Sequence, residues 1–504
     1  MVLWTEDIPM QDTIVKSLDV CWNGRRVGSY DKFASGSEQF CYDPVYLSDS
    51  HAGPISQSLP LKAEPYSGPE LRPFFAGLLP EESQRSRIAS YLGIAETDDF
   101  AFLEALGGEC AGALTILPHG VDPRPVDSGC TPLSDSGLDS ILETLPLRPL
   151  LVGEGELRLS LAGAQSKLPV VVKDGRIGLP VGHAPSTHIL KPELSEWFRG
   201  IAANEHCCMT LARHIGLSVP ETELLRIGRH PCLLIRRYDR EVDPQTGTVT
   251  RVHQEDFCQA LGYAPERKYQ MDGGPLIRDV VKLLRSGWST SPARDILSFV
   301  DLLIYNAIIG NADAHGKNYS MLYRGASRRL APGYDLVSTV FWPALSKCPA
   351  MKIGGTDSVD SICYGHWKKL ASELNLGFAQ LLLRIRNLCD QVMAATAESL
   401  SLPDECPEVL DLVQSRIDAV HIGDQFREHD ELCAVVDGHE VVQLSDDANV
   451  VGVVNGSTQN VGVLVNIVIQ LLGTSWESKD FTAIVQSLVL AVDLTGLGDV
   501  HEGV

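Results

Sequence analysis

The chain has 504 residues, 44% of them apolar and 21% charged. That is the balance of an ordinary globular protein, which excludes intrinsic disorder, collagen and coiled coil as overall descriptions. Lys plus Arg total 42 against 65 Asp plus Glu, a net charge of −23, so no long-range field draws the chain to DNA or to an anionic membrane.

Thirteen cysteines are spread along the length without a C-x-x-C pair. This excludes a zinc ribbon or thioredoxin motif and reads as the reduced thiols of a cytoplasmic protein. Glu6 and Asp7 open the chain without an apolar run, so no secretory signal is expected. The longest apolar run, Val461–Gly473, falls short of the roughly 20 residues that span a bilayer, so no membrane association is expected. At roughly 150 residues per domain the length predicts about three domains.

Residues 1–150 read as a small α+β region. Asp19–Trp22 and Arg26–Tyr30 flank Asn23-Gly24, a two-residue hairpin signal. Leu71–Leu79 is apolar and ends at Pro80, and helices are predicted over Arg85–Leu92 and Asp98–Leu106. The Pro-, Asp- and Gly-rich stretch 119–137 reads as a linker, with a domain boundary soon after it. Residues 151–425 read as one large unit. Strands are predicted at Leu168–Val172 and Ile177–Leu179 around Asp174-Gly175, then at Thr187–Leu190 and Cys232–Arg237. Helices are predicted over Asn204–Ile215, Leu297–Ile309, Trp367–Asn375 and Gln380–Leu400. Sheet first and helices later predicts a two-lobed α+β body. Residues 426–504 differ: from Asp430 on there are eleven acidic residues and one basic, Lys479. Hairpins at Asp437-Gly438 and Asn455-Gly456 and a helix over 477–492 predict a small acidic ββββα appendage.

The most informative string is Gly310-Asn311-Ala312-Asp313-Ala314-His315-Gly316-Lys317-Asn318, a loop after an apolar helix. Asp313 and Asn318 stand five apart, the spacing of the catalytic-loop Asp and Asn of protein kinases. The Asp must face a nucleophilic hydroxyl, and the Asn must offer a neutral oxygen to a magnesium ion on the phosphates. Tyr334-Asp335 follows a strand-turn-strand segment, where a kinase keeps its metal-binding Asp. Alone, each string equally describes a polar surface turn. Upstream, Ser160-Leu161-Ala162-Gly163-Ala164-Gln165-Ser166-Lys167 precedes an apolar strand. Its small residues let backbone N–H groups approach phosphates, although one glycine also suits a plain turn. Lys191 ends a strand where a kinase needs a cation on the phosphates, and Glu205 on the next helix is its candidate partner. Arg236-Arg237-Tyr238-Asp239-Arg240 is the candidate hinge, with backbone groups for an adenine edge and Asp239 for ribose hydroxyls; a charged loop is the simpler alternative.

Together these strings resemble the HipA family of bacterial serine/threonine kinase toxins. The resemblance also takes in Thr187-His188-Ile189-Leu190-Lys191, Asn204-Glu205, Gln254-Glu255-Asp256-Phe257-Cys258-Gln259 and Asp272-Gly273-Gly274-Pro275. Asn23-Gly24-Arg25-Arg26-Val27-Gly28 and Phe74-Phe75-Ala76-Gly77-Leu78-Leu79-Pro80 extend it toward the N-terminus. It spans roughly residues 15–425 and implies a protein-kinase-like body using ATP and Mg²⁺. It implies Asp313 as the catalytic aspartate, with His315, Gly316, Lys317 and Asn318 lining the nucleotide site. Asn318 and Asp335 would hold magnesium, residues 162–167 would form the phosphate loop, and Lys191 would contact phosphates. Residues 236–238 would form the adenine hinge. Arg236 stands where the family has an acid, which implies recognition by backbone groups. Ser160 matches the serine that family members phosphorylate on themselves. The family also implies a target such as an aminoacyl-tRNA synthetase, and a small helix-turn-helix antitoxin through which operator DNA is reached. Two other classes fit the same residues: a regulatory module whose nucleotide pocket is structural, and a small-molecule kinase. The appendage 426–504 has no counterpart in the resemblance.

Overall fold

A computed structural model describes residues 12–124, 129–153, 157–163, 165–397 and 406–420, together with 434–436 and 439–442. The chain divides into two units, residues 1–423 and 424–504.

The first sheet contains β1 (Ile14–Trp22), β2 (Arg25–Phe33), β3 (Glu38–Tyr42), β4 (Tyr66–Ser67) and β5 (Leu114–Pro118), in the order β4-β3-β2-β1-β5. The turn Asn23-Gly24 adopts positive φ at both residues, which is why Asn-Gly closes this hairpin. Register places Leu18 opposite Tyr30 and Val20 opposite Ile116, so the apolar alternation of β1 faces one core. Against that face pack the helices Arg72–Gly77 and Asp99–Leu106, bringing Phe74, Phe75, Phe100 and Phe102.

The second sheet contains β6 (Cys130–Pro132), β7 (Leu168–Lys173), β8 (Arg176–Pro180), β9 (His188–Pro192), β10 (Thr222–Ile227) and β11 (His230–Arg236), in the order β10-β11-β9-β7-β8-β6. The stretch expected to be a linker therefore supplies β6 and the start of the helix Asp135–Thr144. Ser134 caps that helix by accepting from Gly137 N at 3.1 Å, and Leu138 and Leu142 bury its inner face. One apolar core runs from Leu18 and Phe40 through Leu142 to Val170 and Leu190, so the boundary expected at residue 150 falls inside a continuous core. The passage between sheets lies nearer Pro118.

Beyond the second sheet, β12 (Arg240–Val242) pairs with β13 (Val249–Arg251), and β14 (His253–Asp256), β15 (Ser320–Arg324) and β16 (Ser327–Leu330) form a three-stranded sheet. The rest is mainly helical: Pro292–Ile309, Tyr364–Leu374, Phe378–Ala397 and Pro407–Val420. The helix Pro292–Ile309 is buried along most of its length and ends at Gly310, whose φ of 70° makes the left-handed cap. Among the described residues no helix is long and apolar enough to cross a membrane. In the second unit β17 (Ala434–Val436) pairs antiparallel with β18 (His439–Val442) on either side of Asp437-Gly438. The hairpin expected at Asn455-Gly456 and the helix expected over 477–492 lie outside the described residues.

A buried ionic cluster ties the two sheets together. Glu109, fully buried, accepts from Arg237 Nη1 at 3.0 Å, Arg240 Nη2 at 2.8 Å and Arg251 Nε at 3.0 Å. Asp239 accepts from Arg237 Nε at 2.9 Å and from Gly112 N at 2.8 Å. Burial opposes the ionisation of Asp239, but the Arg237 and Arg240 charges outweigh it and hold the carboxyl at about 2. A carboxylate depressed in the folded state stabilises the fold above its unfolded pKa and ceases to do so as pH falls through the folded value. Stability is therefore expected to decline as pH drops from about 4 toward 2. Glu109→Ala leaves three buried guanidinium groups against one carboxylate, and we expect it to cost about 3–5 kcal/mol. The denaturant midpoint of the full chain measures this; a loss under about 1 kcal/mol would mean that the cluster is not the tie described.

Candidate active site

The loop after Pro292–Ile309 is held from below by amides. Asn306 Oδ1 accepts from Asn311 Nδ2 at 2.8 Å, and Asn311 Oδ1 accepts from Asp313 N at 3.0 Å. Thr339 Oγ1 accepts from Ala312 N at 2.8 Å. The Asp313 carbonyl accepts from His315 N at 2.7 Å and from Asn318 Nδ2 at 3.2 Å. The loop backbone is thus fixed, and the Asp313 side chain stands exposed in a cleft of about 1350 Å³. The Asn318 amide spends its N–H on Asp313, which leaves its oxygen for a cation.

Asp335 follows the β15–β16 hairpin with φ of 55°, a left-handed conformation unusual for a non-glycine residue. Its carboxylate bonds the ammonium of Lys191 from β9. The same ammonium donates to both oxygens of Glu205, at 2.7 and 3.0 Å, from the helix Ile201–His214. Lys191 and Glu205 are both buried. Burial works against the charge on Asp335, but Lys191 and Lys167 hold its carboxyl well below the usual carboxylate range. The Lys–Glu pair and the second Asp, expected separately from the sequence, therefore meet at one ammonium group.

The small-residue loop packs beside them. Gly163 has φ of 105°, and a Cβ there would lie 2.7 Å from Lys167 Nζ. That ammonium donates to the Ala162 carbonyl at 2.7 Å, so Lys167 folds back beneath the loop and only glycine fits above it. Burial and the Lys191 charge push Lys167 down to about 8. Ser166 accepts from Gln84 at 3.0 Å, and Gln165 lines the cleft; Ala164 lies outside the described residues. Ser160 is fully buried, its hydroxyl donating to the Leu78 carbonyl at 2.7 Å and its N–H to the Glu109 carbonyl at 2.9 Å.

At the hinge the expectation divides. Arg236 is exposed and pairs with Glu221 at 3.2 Å, Tyr238 lines the cleft beside Tyr334, with ring centroids 5.7 Å apart, and Tyr334 lines it too. Arg237 and Asp239 are committed to the Glu109 cluster, so the ribose role expected of Asp239 is corrected: its oxygens already accept from a buried guanidinium and a backbone N–H.

Lys317 also turns inward. Its ammonium donates to Asp256 at 2.9 Å and to the Gly77 carbonyl at 3.1 Å, with Glu81 at 3.5 Å. Glu81 in turn accepts from Lys268 at 2.9 Å. Burial opposes its charge, but Lys317 and Lys268 hold Glu81 at about 2. Gly316 lets the loop lie against Pro275 and Cys258, which a Cβ would approach to 2.5 and 2.9 Å. The Gln254–Gln259 and Asp272–Pro275 strings thus form the wall behind the catalytic loop. His315 is buried there, and among the described residues its Nδ1 has no hydrogen-bond partner. Glu81, Asp256 and Lys268 were not identified from sequence as cleft residues, since a single charge in a short string gives no spacing to read.

These donors suit a magnesium–nucleotide complex. Asp335 and Asn318 line the same cleft and offer hard oxygen ligands, and Lys191 brings a positive charge. Comparisons with known proteins place the chain in a kinase family. The HipA N-terminal domain matches residues 18–117 and the HipA-like C-terminal domain residues 159–400. The chain is 46% identical over 392 residues to the putative kinase Y4mE of Sinorhizobium fredii, covering 77% of this chain and 92% of that protein. It is 29% identical to the serine/threonine-protein kinase toxin HipA of Shewanella oneidensis, covering 68% and 80%. The fold matches HipA in the complex of Shewanella oneidensis HipA, HipB and operator DNA with a TM-score of 0.72 at 24% identity, covering 82% of this chain and 99% of that one. The chain belongs to the HipA family of kinases.

Proposed function

We propose that the chain is an ATP- and Mg²⁺-dependent serine/threonine protein kinase that acts as a toxin in the cytoplasm. In this reading it phosphorylates a translation component such as an aminoacyl-tRNA synthetase. A small helix-turn-helix antitoxin neutralises it and supplies its contact with operator DNA. The observation that carries the reading is the assembled set in one cleft: Lys191 paired to Glu205 and Asp335, facing the loop that bears Asp313 and Asn318. The named relative that is a serine/threonine kinase toxin, and the related fold solved with HipB and operator DNA, support the toxin and antitoxin parts.

When bound, ATP with Mg²⁺ supplies the transferable phosphoryl group and neutralises its charge. The chain supplies position and charge. Lys191, kept in place by Glu205, presents its ammonium to phosphate oxygens, while Asp335 and Asn318 are the candidate metal ligands. Backbone groups of residues 162–167 cover the phosphates. Asp313 accepts a hydrogen bond from the substrate hydroxyl and takes its proton as the oxygen attacks.

Ser160 fits self-inactivation. Its hydroxyl is buried against Leu78, with Glu109 next to its N–H. A phosphate added there carries about −1.5 to −2 charge and cannot return to that buried position. The loop 160–167 must leave for Ser160 to be modified and is then kept out, which removes the cover over the phosphates.

Asp313→Asn is expected to keep the fold and to lower phosphoryl transfer by about 10²–10⁴-fold. Intact and peptide mass after incubation with Mg²⁺–ATP checks this: one phosphate should appear on Ser160 in the wild type and be absent from the variant. ATP binding with no transfer in either protein would instead identify a regulatory module. A second expectation concerns Lys167. With its amine near pKa 8 it should acylate ahead of surface lysines between pH 8 and 9, and Mg²⁺–ATP should protect it. Labelling at the same rate as surface lysines, read by peptide mass, would remove Lys167 from the phosphate loop.

A further inference from the structure

Tyr269 belongs to none of the strings that the sequence singles out, yet it touches the centre of the cleft. Its hydroxyl donates to Asp313 Oδ1 at 2.8 Å. Its ring meets His315 edge to face, with centroids 5.4 Å apart at 76°, and Lys268 Nζ lies 5.4 Å from its centroid. Its backbone is fixed as well: the Tyr269 carbonyl accepts from Gly274 N at 2.9 Å and Asp272 N at 3.1 Å, and Gln270 N donates to the Ala350 carbonyl at 2.8 Å. A Cβ on Gly274 would come within 2.7 Å of the Tyr269 carbonyl oxygen, so the Asp272-Gly273-Gly274 turn exists in this form because position 274 has no side chain. The ring is therefore a braced hydrogen-bond donor.

Asp313 is the opposite case. Hydrogen bonds hold its N–H and its carbonyl, but its carboxylate stands out into the cleft. Among the described residues, Tyr269 is the side chain that donates to it. A carboxylate turning freely about its side-chain bonds would present its lone pairs to an incoming hydroxyl only part of the time. Small losses of orientation at a reacting group are costly in rate.

We propose that Tyr269 is a positioning residue for phosphoryl transfer, its hydroxyl fixing Oδ1 of Asp313 so that Oδ2 faces the acceptor hydroxyl. This rests on the assignment of Asp313 as the base in the kinase reading above. As the acceptor oxygen forms its bond to phosphorus, the bond from phosphorus to the leaving ADP oxygen breaks, and the acceptor proton passes to Oδ2. Tyr269 keeps its own proton throughout. Burial and the adjacent Asp313 charge push the phenol up from its ordinary value, so it remains a donor at neutral pH. The same contact explains a Tyr three residues before Asp272: the turn sets the distance at which the phenol reaches the loop.

The test uses the full chain with Mg²⁺–ATP and reads ADP release and the thermal midpoint. Wild type is compared with Tyr269→Phe, Asp313→Asn and the double variant. Phe retains the ring that packs on His315, so the fold should persist. The expected result is a roughly tenfold lower maximal rate in Tyr269→Phe, the size of losing one hydrogen bond to a charged group. The ATP concentration for half-maximal rate and the thermal midpoint should stay unchanged. In the Asp313→Asn background, Tyr269→Phe should add no further loss, because residues acting as a unit are not additive. A rate equal to or above wild type would overturn the proposal, since the phenol would then merely cap the carboxylate. A full further loss in the Asp313→Asn background would also overturn it, placing the effect elsewhere. These outcomes leave the kinase reading standing. An ADP release that is the same in wild type and Asp313→Asn removes that reading and the positioning role with it.

Discussion

One carboxylate, Glu109, holds the molecule in the form its chemistry needs. It sits in the turn between the helix Asp99–Leu106 and β5 and is fully enclosed. Arg237 reaches it from just after β11, Arg240 from β12 and Arg251 from β13. Its backbone also carries the segment that leads into the small-residue loop, since the Glu109 carbonyl accepts from Ser160 N and its N–H donates to the Arg158 carbonyl. The first sheet, that segment and the end of β11 are thus tied to one residue. An ion buried this completely is tolerated because each of its oxygens faces guanidinium donors. The N-terminal sheet is for this reason part of the catalytic body.

The second constraint is the ammonium of Lys191. It is shared between Glu205 on a helix of the sheet-rich half and Asp335 after β16. Pairing with Glu205 fixes where the helix Ile201–His214 lies against β9, and pairing with Asp335 brings in the segment after the hairpin. The left-handed backbone at Asp335 is a local cost of this placement. It is sustained by the Asp335 carbonyl, which accepts from Asn311 Nδ2 at 3.2 Å, so the two acidic strings are linked through backbone as well as through the cleft.

Much of this was legible in the sequence where local chemistry dictates local form. Asn23-Gly24 demanded a hairpin, Gly310 ended a helix, and the Asp313–Asn318 spacing placed two polar groups on one loop. The strings also offered Glu205 as a partner for Lys191, but that Asp335, 144 residues from Lys191, shares the same ammonium was not read from them. What could not be read was the use of charges buried in partnership. Arg237, Asp239 and Lys317 looked like nucleotide contacts because each falls inside a motif. Arg237 is matched by Glu109, far upstream, Asp239 by Arg237 itself, and Lys317 by Asp256 with Glu81 beyond it, and only the fold reveals that these charges are already matched. The linker expected over 119–137 proved partly structured for a related reason. A proline-rich stretch reads as a linker from composition, but an edge strand such as β6 tolerates Pro132 because its outer side needs no ladder partner.

The electrostatics of the cleft follow from the same matching. The chain is strongly acidic, yet Lys167, Lys191, Lys268 and Lys317 all converge on the cavity that holds Asp313. Three of the four are paired with acids, and Lys167 is turned onto a carbonyl with a lowered pKa. A polyanion therefore meets little unpaired positive charge from a distance, which fits the absence of any steering field. Affinity for phosphate must come from local exchange: an ammonium that gives up an acid partner for a phosphate oxygen changes little in net charge. Lys191 is placed for this exchange because it has two acids. In the proposed function Glu205 would hold it while Asp335 turned to a cation. Lys317 and Lys268 are not so placed, since their shared partner Glu81 is itself buried between them. Lys317 and Lys268 thus support the wall of the cleft, Lys167 supports the loop above it, and Lys191 alone of the four is held between two carboxylates of which one follows the β15–β16 hairpin.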